Sequence, residues 1–222
     1  MRSPRLSHLL FSALALAAVL GRAGAAPPPA ANAVVRIPSH GASATVIETG
    51  PGYTLLLGCA HAFEGPDRTK PIQLDVPVPA AGQPKQARIR LVAVDYQADL
   101  SLLVLEDGPV PFVLPVAAAG HRPSAAIWSA GYDEMRWPAT AAPATIIALS
   151  PSTTYTRERP WHGRSGGALI DVEAGRLIGV VQGYETAGPR RGMYVAHAEI
   201  LRFLNRKQPP PQPPALRPLC PT

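Results

Sequence analysis

Short runs in which apolar and polar positions alternate dominate the chain, and a single stretch shows helical spacing. Residues 44–47 and 53–57 are apolar segments flanking a turn at Gly50-Pro51-Gly52, which predicts two strands joined by a tight connection. Residues 87–94 set Arg88 and Arg90 against Ile89 and Leu91 with period two. Residues 100–105 form a short buried run, and 125–130 and 145–149 repeat the strand pattern. Residues 168–171 and 176–182 read as a hairpin around Glu173-Ala174-Gly175, followed by a short strand at 193–196. Only 199–206, with Ile200, Leu201, Phe203 and Leu204 on one face, predicts a helix. Many short strands and one terminal helix predict an all-β fold of sandwich or barrel type.

Composition narrows this picture. The 222 residues include 27 prolines and 19 glycines, and aromatics make up only 6%, which favours strands and turns over a helical bundle. Two cysteines exclude both a disulfide-dense scaffold and a four-thiolate zinc site. Cys59 lies in an apolar strand and Cys220 near the end of the chain; they either pair in an oxidising compartment or leave Cys59 a free buried thiol. Arg2 and Arg5, the apolar run 9–20 and the small residues Ala23-Gly24-Ala25 predict a cleaved signal peptide over 1–25. An uncleaved anchor is the alternative, with twelve apolar residues near the lower limit for one. With three arginines and no acid in the leader, the formal charge of +6 drops to +3 in the mature chain. That charge is spread out, with no Lys/Arg cluster interleaved with aromatics, which argues against nucleic acid as a partner. A Pro/Ala spacer over 26–32 precedes a body of residues 33–207. In the tail 208–222 seven of fifteen residues are proline, which predicts disorder. The composition shift at 108–123 predicts a link between two halves, about 33–108 and 120–196, with the terminal helix at about 197–206.

Three segments carry candidate chemistry. In Leu57-Gly58-Cys59-Ala60-His61 a strand ends on small residues that let an imidazole turn into a cleft. In Ala98-Asp99-Leu100 a carboxylate stands directly before a buried strand. Such a group needs a compensating partner, and an imidazole N–H is a good one. In Gly163-Arg164-Ser165-Gly166-Gly167 a serine is flanked by glycines ahead of an apolar strand. A nucleophilic serine needs that access, a tight turn, and backbone N–H groups aimed at a developing oxyanion. The same five residues nominally match the elbow of the α/β-hydrolases. That elbow is followed by a helix and by a downstream histidine, whereas here a strand follows and His61 lies far upstream.

The order His61, Asp99, Ser165, at spacings of 38 and 66 residues, resembles the chymotrypsin-like (trypsin-like) serine peptidases, in particular their short bacterial members. Residues 41–47 resemble the opening strand of that family. Residues 177–181 resemble the strand beside its substrate pocket, and 193–196 with the following helix its closing elements. The resemblance implies two six-stranded antiparallel β-barrels, a chymotrypsin-like double barrel, with a C-terminal helix and the active site between the barrels. It implies that Ser165 attacks a peptide carbonyl, that His61 is general base and then general acid, and that Asp99 orients His61. The backbone N–H groups of Gly163 and Ser165 would form the oxyanion hole. No metal or organic cofactor is implied.

Arg164 departs from the family, where animal trypsins carry an aspartate that pairs with a new N-terminus and many bacterial members an asparagine. An arginine cannot make the trypsin pair, so no trypsin-style zymogen switch is expected. Arg159, six residues before Ser165, argues against cleavage after Lys or Arg and favours acidic side chains. His162 is expected at the pocket mouth, and Gln182, Gly183 and Tyr184 along the substrate backbone. His40, His121 and His197 show no metal-ligand spacing. The expectation is an exported, secreted or periplasmic, monomeric serine endopeptidase acting on proteins or peptides, with no stable membrane insertion after signal cleavage. The alternative is a catalytically silent relative that binds a peptide or protein in the cleft, a reading motivated by Arg164 and the Pro-rich tail.

Overall fold

Among the described residues, period-two alternation becomes thirteen strands, followed by one α-helix. The computed structural model describes residues 28–64, 72–76, 85–105 and 109–206; the leader 1–25 and the whole tail 208–222, with Cys220, lie outside them. The first unit comprises β1 (Val34–Ile37), β2 (Ala42–Gly50), β3 (Tyr53–Gly58), β4 (Ile72–Val76), β5 (Lys85–Asp95) and β6 (Leu100–Leu105). They pair antiparallel in the closed order β1-β2-β3-β6-β5-β4. The barrel closes where Arg36 of β1 faces Asp75 of β4. There Arg36 Nε donates to Asp75 Oδ2 at 2.8 Å. Asp75 is 2% exposed, so the guanidinium compensates a carboxylate that would otherwise be costly to bury. Alternation shows directly in β5, where Ala87 and Ile89 are buried between exposed Gln86, Arg88 and Arg90. β6 is buried along its whole length.

The second unit comprises β7 (Ile127–Gly131), β8 (Thr140–Ala144), β9 (Ile146–Leu149), β10 (Thr153–Thr156), β11 (Ala168–Asp171), β12 (Arg176–Tyr184) and β13 (Gly192–Ala196). This is the second half of the expected double barrel, with one of its long strands broken into two segments, β8 and β9, at Thr145. The seven strands form a curled half-barrel in the order β8-β7-β11-β12-β13-β10-β9. Its two edges, β8 and β9, are consecutive in the chain and separated only by Thr145. Two strands joined by one residue cannot fold into a hairpin against each other. The chain bends at Thr145 instead, so covalent continuity links the two edges without a hydrogen-bonded ladder. Pro143 in β8 has no N–H to offer a further strand, as befits an edge position. The bend is held by Glu158, whose carboxylate accepts from Thr145 N–H at 2.6 Å and from Thr145 Oγ1 at 3.0 Å.

The segment between the units lies across both of them. Leu114 N–H donates to Val46 O in the first unit, and Ala117 N–H to Leu177 O in the second, at 2.8 and 2.9 Å. Helix α1 (His197–Asn205) buries Ile200 and Phe203. It begins two residues earlier than its apolar spacing predicts, with His197 Nε2 at 2.7 Å from Ala117 O. One apolar core runs from Val34 through Leu103 to Val195 and Ile200, so the two units share an interior. Among the described residues no helix is long and apolar enough to cross a membrane.

Candidate active site

β3 ends at Gly58, and a 3₁₀ turn over His61–Phe63 swings the imidazole out of the barrel. Phe63 is buried beneath that turn, while His61 stays exposed. Asp99 precedes β6 in a left-handed conformation, φ 55°. Aspartate tolerates that region better than most residues. Its Oδ1 accepts the backbone N–H groups of Ala60 and His61, both at 2.9 Å. The same carboxylate faces His61 Nδ1 with Oδ2 at 2.9 Å and Oδ1 at 3.0 Å. One carboxylate therefore fixes both the main chain and the ring of His61, and its position requires Nδ1 to carry a proton. This contact raises the imidazole above its ordinary value, to about 10, with the side chain of Cys59 adding to the effect and burial opposing it. Cys59 is a buried free thiol.

Ser165 stands in the turn before β11. The turn needs its glycines for space as well as conformation. Gly166 has φ 84°, and a Cβ there would fall 2.1 Å from Ser43 O and 3.0 Å from Cys59 N. That close approach seats the serine turn against the strand end that carries His61. Gly163 has φ 89°, and a Cβ there would fall 2.4 Å from Tyr132 O. Ser165 Oγ donates to Gln182 O on β12 at 3.4 Å. Around the turn the backbone donors alternate. Arg164 N–H goes to Trp161 O, Gly166 N–H to Val181 O and Gly167 N–H to Arg164 O. Among the described residues no protein acceptor takes the N–H of Gly163 or of Ser165.

Two residues that sequence reasoning missed hold this turn. Ser43 on β2 is 1% exposed. Its N–H donates to Ser165 O at 2.8 Å. Its Oγ donates to Gly163 O at 2.8 Å and accepts from Tyr132 N–H at 3.1 Å. Asp133 pairs with Arg164, Oδ1 to Nε and Oδ2 to Nη2. Arg164 is thus directed into the second unit and is 5% exposed. A small polar residue flanked by alanines gave Ser43 no distinctive signal, and Asp133 lies 31 residues from its partner.

The residues expected along the substrate fall into two groups. Arg159, His162 and Tyr184 cluster together: the Arg159 guanidinium lies 4.4 Å from the Tyr184 ring centre, and the His162 ring meets Tyr184 edge-on at 6.0 Å. Gln182 and Gly183 line β12 beside Ser165, and Gly183, φ 150°, has open space where a side chain would stand. His162 O also accepts Glu134 N–H at 2.6 Å, so its backbone is fixed while its ring is exposed.

A closed barrel and a curled half-barrel meeting at a histidine–aspartate pair and a glycine-flanked serine define a trypsin-like architecture. The chain matches the family model of the trypsin-like peptidase domain over residues 42–180 and belongs to that family. Its fold is similar to the crystal structure of an inactive form of a mutant of Rv3671c from M. tuberculosis H37Rv, with TM-score 0.61, 22% identity, and coverage of 82% of this chain and 94% of that one. The active form of Rv3671c protease gives TM-score 0.60 and 23% identity over 81% of this chain and 87% of that one. The serine endoprotease from Yersinia pestis gives TM-score 0.62 and 19% identity, with 81% of this chain covered and 66% of that one. No curated protein matches the chain.

Proposed function

We propose that this chain is an exported serine endopeptidase that hydrolyses peptide bonds through an acyl-enzyme on Ser165. The observation that carries the proposal is the Asp99 carboxylate set against His61 Nδ1 at 2.9 Å while also holding the His61 backbone. With Nδ1 protonated and pointed at Asp99, Nε2 is the lone-pair nitrogen of the neutral ring. A χ1 rotation releases Ser165 Oγ from Gln182 O, and Nε2 takes its proton as Oγ adds to the substrate carbonyl. The free N–H groups of Gly163 and Ser165 receive the developing oxyanion. His61 then returns the proton to the leaving amine, and water repeats the sequence to release the acid. Export rests on the leader, with its basic start, apolar run and small-residue exit.

The contact between Ser165 Oγ and Gln182 O favours one second reading, a cleft that binds peptides without cutting them. Active-site labelling separates the two. A fluorophosphonate probe is expected to modify wild-type protein at Ser165, located by mass spectrometry, and to leave Ser165→Ala unmodified. A folded wild type that takes no label and hydrolyses no casein, yet binds peptides, would establish the silent reading instead.

A further inference from the structure

All five N–H donors of Arg164 are satisfied inside the second unit. Nε and one hydrogen of Nη2 engage Asp133, and the other hydrogen of Nη2 meets Thr140 Oγ1 at 2.7 Å. Nη1 reaches Ser129 O at 3.1 Å and Ser129 Oγ at 3.3 Å. A guanidinium has only five such hydrogens, so the group is saturated. Its backbone is fixed too, with its N–H on Trp161 O and its carbonyl receiving Gly167 N–H. The residues on either side, Gly163 and Ser165, both have N–H groups with no protein acceptor among the described residues.

The same loop grips the turn at a second point. Glu134, next to Asp133, donates its N–H to His162 O at 2.6 Å. Met135 O in turn accepts from Arg36 Nη1 at 2.6 Å, which pins the loop to the first unit. The turn is therefore clamped one residue before Gly163 and one residue after it, by consecutive residues of one loop. A charge this buried is costly without its partner, so the pair holds a single geometry rather than several.

We infer that Arg164 is a positioning residue. Through Asp133, Thr140 and Ser129 it fixes the turn so that the Gly163 and Ser165 N–H groups face the reacting carbonyl. It touches neither substrate nor the reacting atoms. The inference rests on the reading of Ser165 as nucleophile.

The test is steady-state hydrolysis of a chromogenic peptide substrate, with inhibition by a peptide aldehyde, whose hemiacetal oxygen occupies the oxyanion position. Each variant is melted first, so that rates compare folded protein. Arg164→Met is expected to lose about 10²-fold in kcat, the size of a lost oxyanion donor, and to weaken aldehyde inhibition in parallel, with KM changed by less than about threefold. Arg164→Lys keeps the charge but not the fork, and is expected to fall between. Should Arg164→Met melt below the assay temperature, Asp133→Asn keeps the shape and removes the charge, and its expected losses lie in the same two quantities. A folded Arg164→Met or Asp133→Asn with wild-type kcat, or with its whole loss in KM, overturns the inference and leaves the peptidase reading standing. A wild type that neither turns over substrate nor takes the fluorophosphonate overturns that reading, and the inference with it.

Discussion

Ser43 in the first unit and Gly163 in the second are joined by a hydrogen bond from Ser43 Oγ to Gly163 O at 2.8 Å. The same hydroxyl accepts Tyr132 N–H, and the same residue's N–H holds Ser165 O. One buried serine thus couples the Ser165 turn to the barrel that carries His61. Ser43→Ala strands Gly163 O and Tyr132 N–H without water to replace the hydroxyl. The expected cost is ~1–3 kcal/mol of stability, the penalty for leaving buried polar groups unpaired. Urea denaturation measures it directly. A concurrent drop in kcat at nearly constant KM is expected, because Gly163 belongs to the turn rather than to the substrate rim.

The histidine predicts a pH dependence. Catalysis requires the neutral imidazole, and Asp99 first, with Cys59 second, holds the protonated form up to about 10. The acid limb of kcat/KM is therefore displaced upward from the ordinary histidine value of about 6.5. A profile from about pH 5 to pH 10 checks this, and a limb at or below 6.5 contradicts it. Stability follows the opposite sense. A group whose folded pKa lies above its unfolded one stabilises fully below about 6.5 and loses that contribution as pH rises toward 10. The stability gap between wild type and His61→Ala, read from urea midpoints, is expected to narrow across that window.

Much of this was legible in the chain. The alternation at 87–94 and the run at 100–105 mark β5 and β6, and the serine-glycine turn announces itself by composition. Four strands gave no usable period. β1 and β4 are short, β8 contains Pro143, and β10 is Thr153-Thr154-Tyr155-Thr156, whose polar residues are buried against neighbouring strands. How the second sheet curls is not written in any local pattern either: the break between β8 and β9 is a bend at Thr145 held by Glu158, a contact between residues 13 apart. Arg164 was visible as an anomaly, but its direction depends on Asp133, Thr140 and Ser129, which no local pattern ties to it.

Asp99 invites a substitution that isolates its charge. Its φ of 55° is tolerated by asparagine, and an amide oxygen can still accept the Ala60 and His61 N–H groups. Asp99→Asn should therefore fold, while losing the carboxylate that fixes the His61 tautomer. The expected fall in kcat is roughly 10⁴-fold, the size such a change has in a serine triad. Asp99→Ala removes the backbone contacts as well, so it should also lower the melting temperature relative to Asp99→Asn. Equal melting temperatures for the two variants would show that those contacts contribute nothing to the His61 turn.

Specificity is the last expectation, and it depends on where charge stands at the rim. Arg159 lies over the Tyr184 ring, an arrangement that holds the guanidinium in place without neutralising it. Arg159 is exposed, and His162 stands edge-on to the same ring. A substrate side chain reaching this cluster meets positive charge, so carboxylates are favoured and Lys or Arg disfavoured. Profiling with a peptide library should show enrichment of Asp and Glu next to the scissile bond. Arg159→Ser should reduce that preference by about tenfold, mainly through KM, because an exposed charge acts on binding in the ground and transition states alike. The effect should shrink as salt rises, since the interaction is solvent-facing. A preference that survives Arg159→Ser unchanged, at low and high salt alike, would place the specificity determinant on a residue other than Arg159.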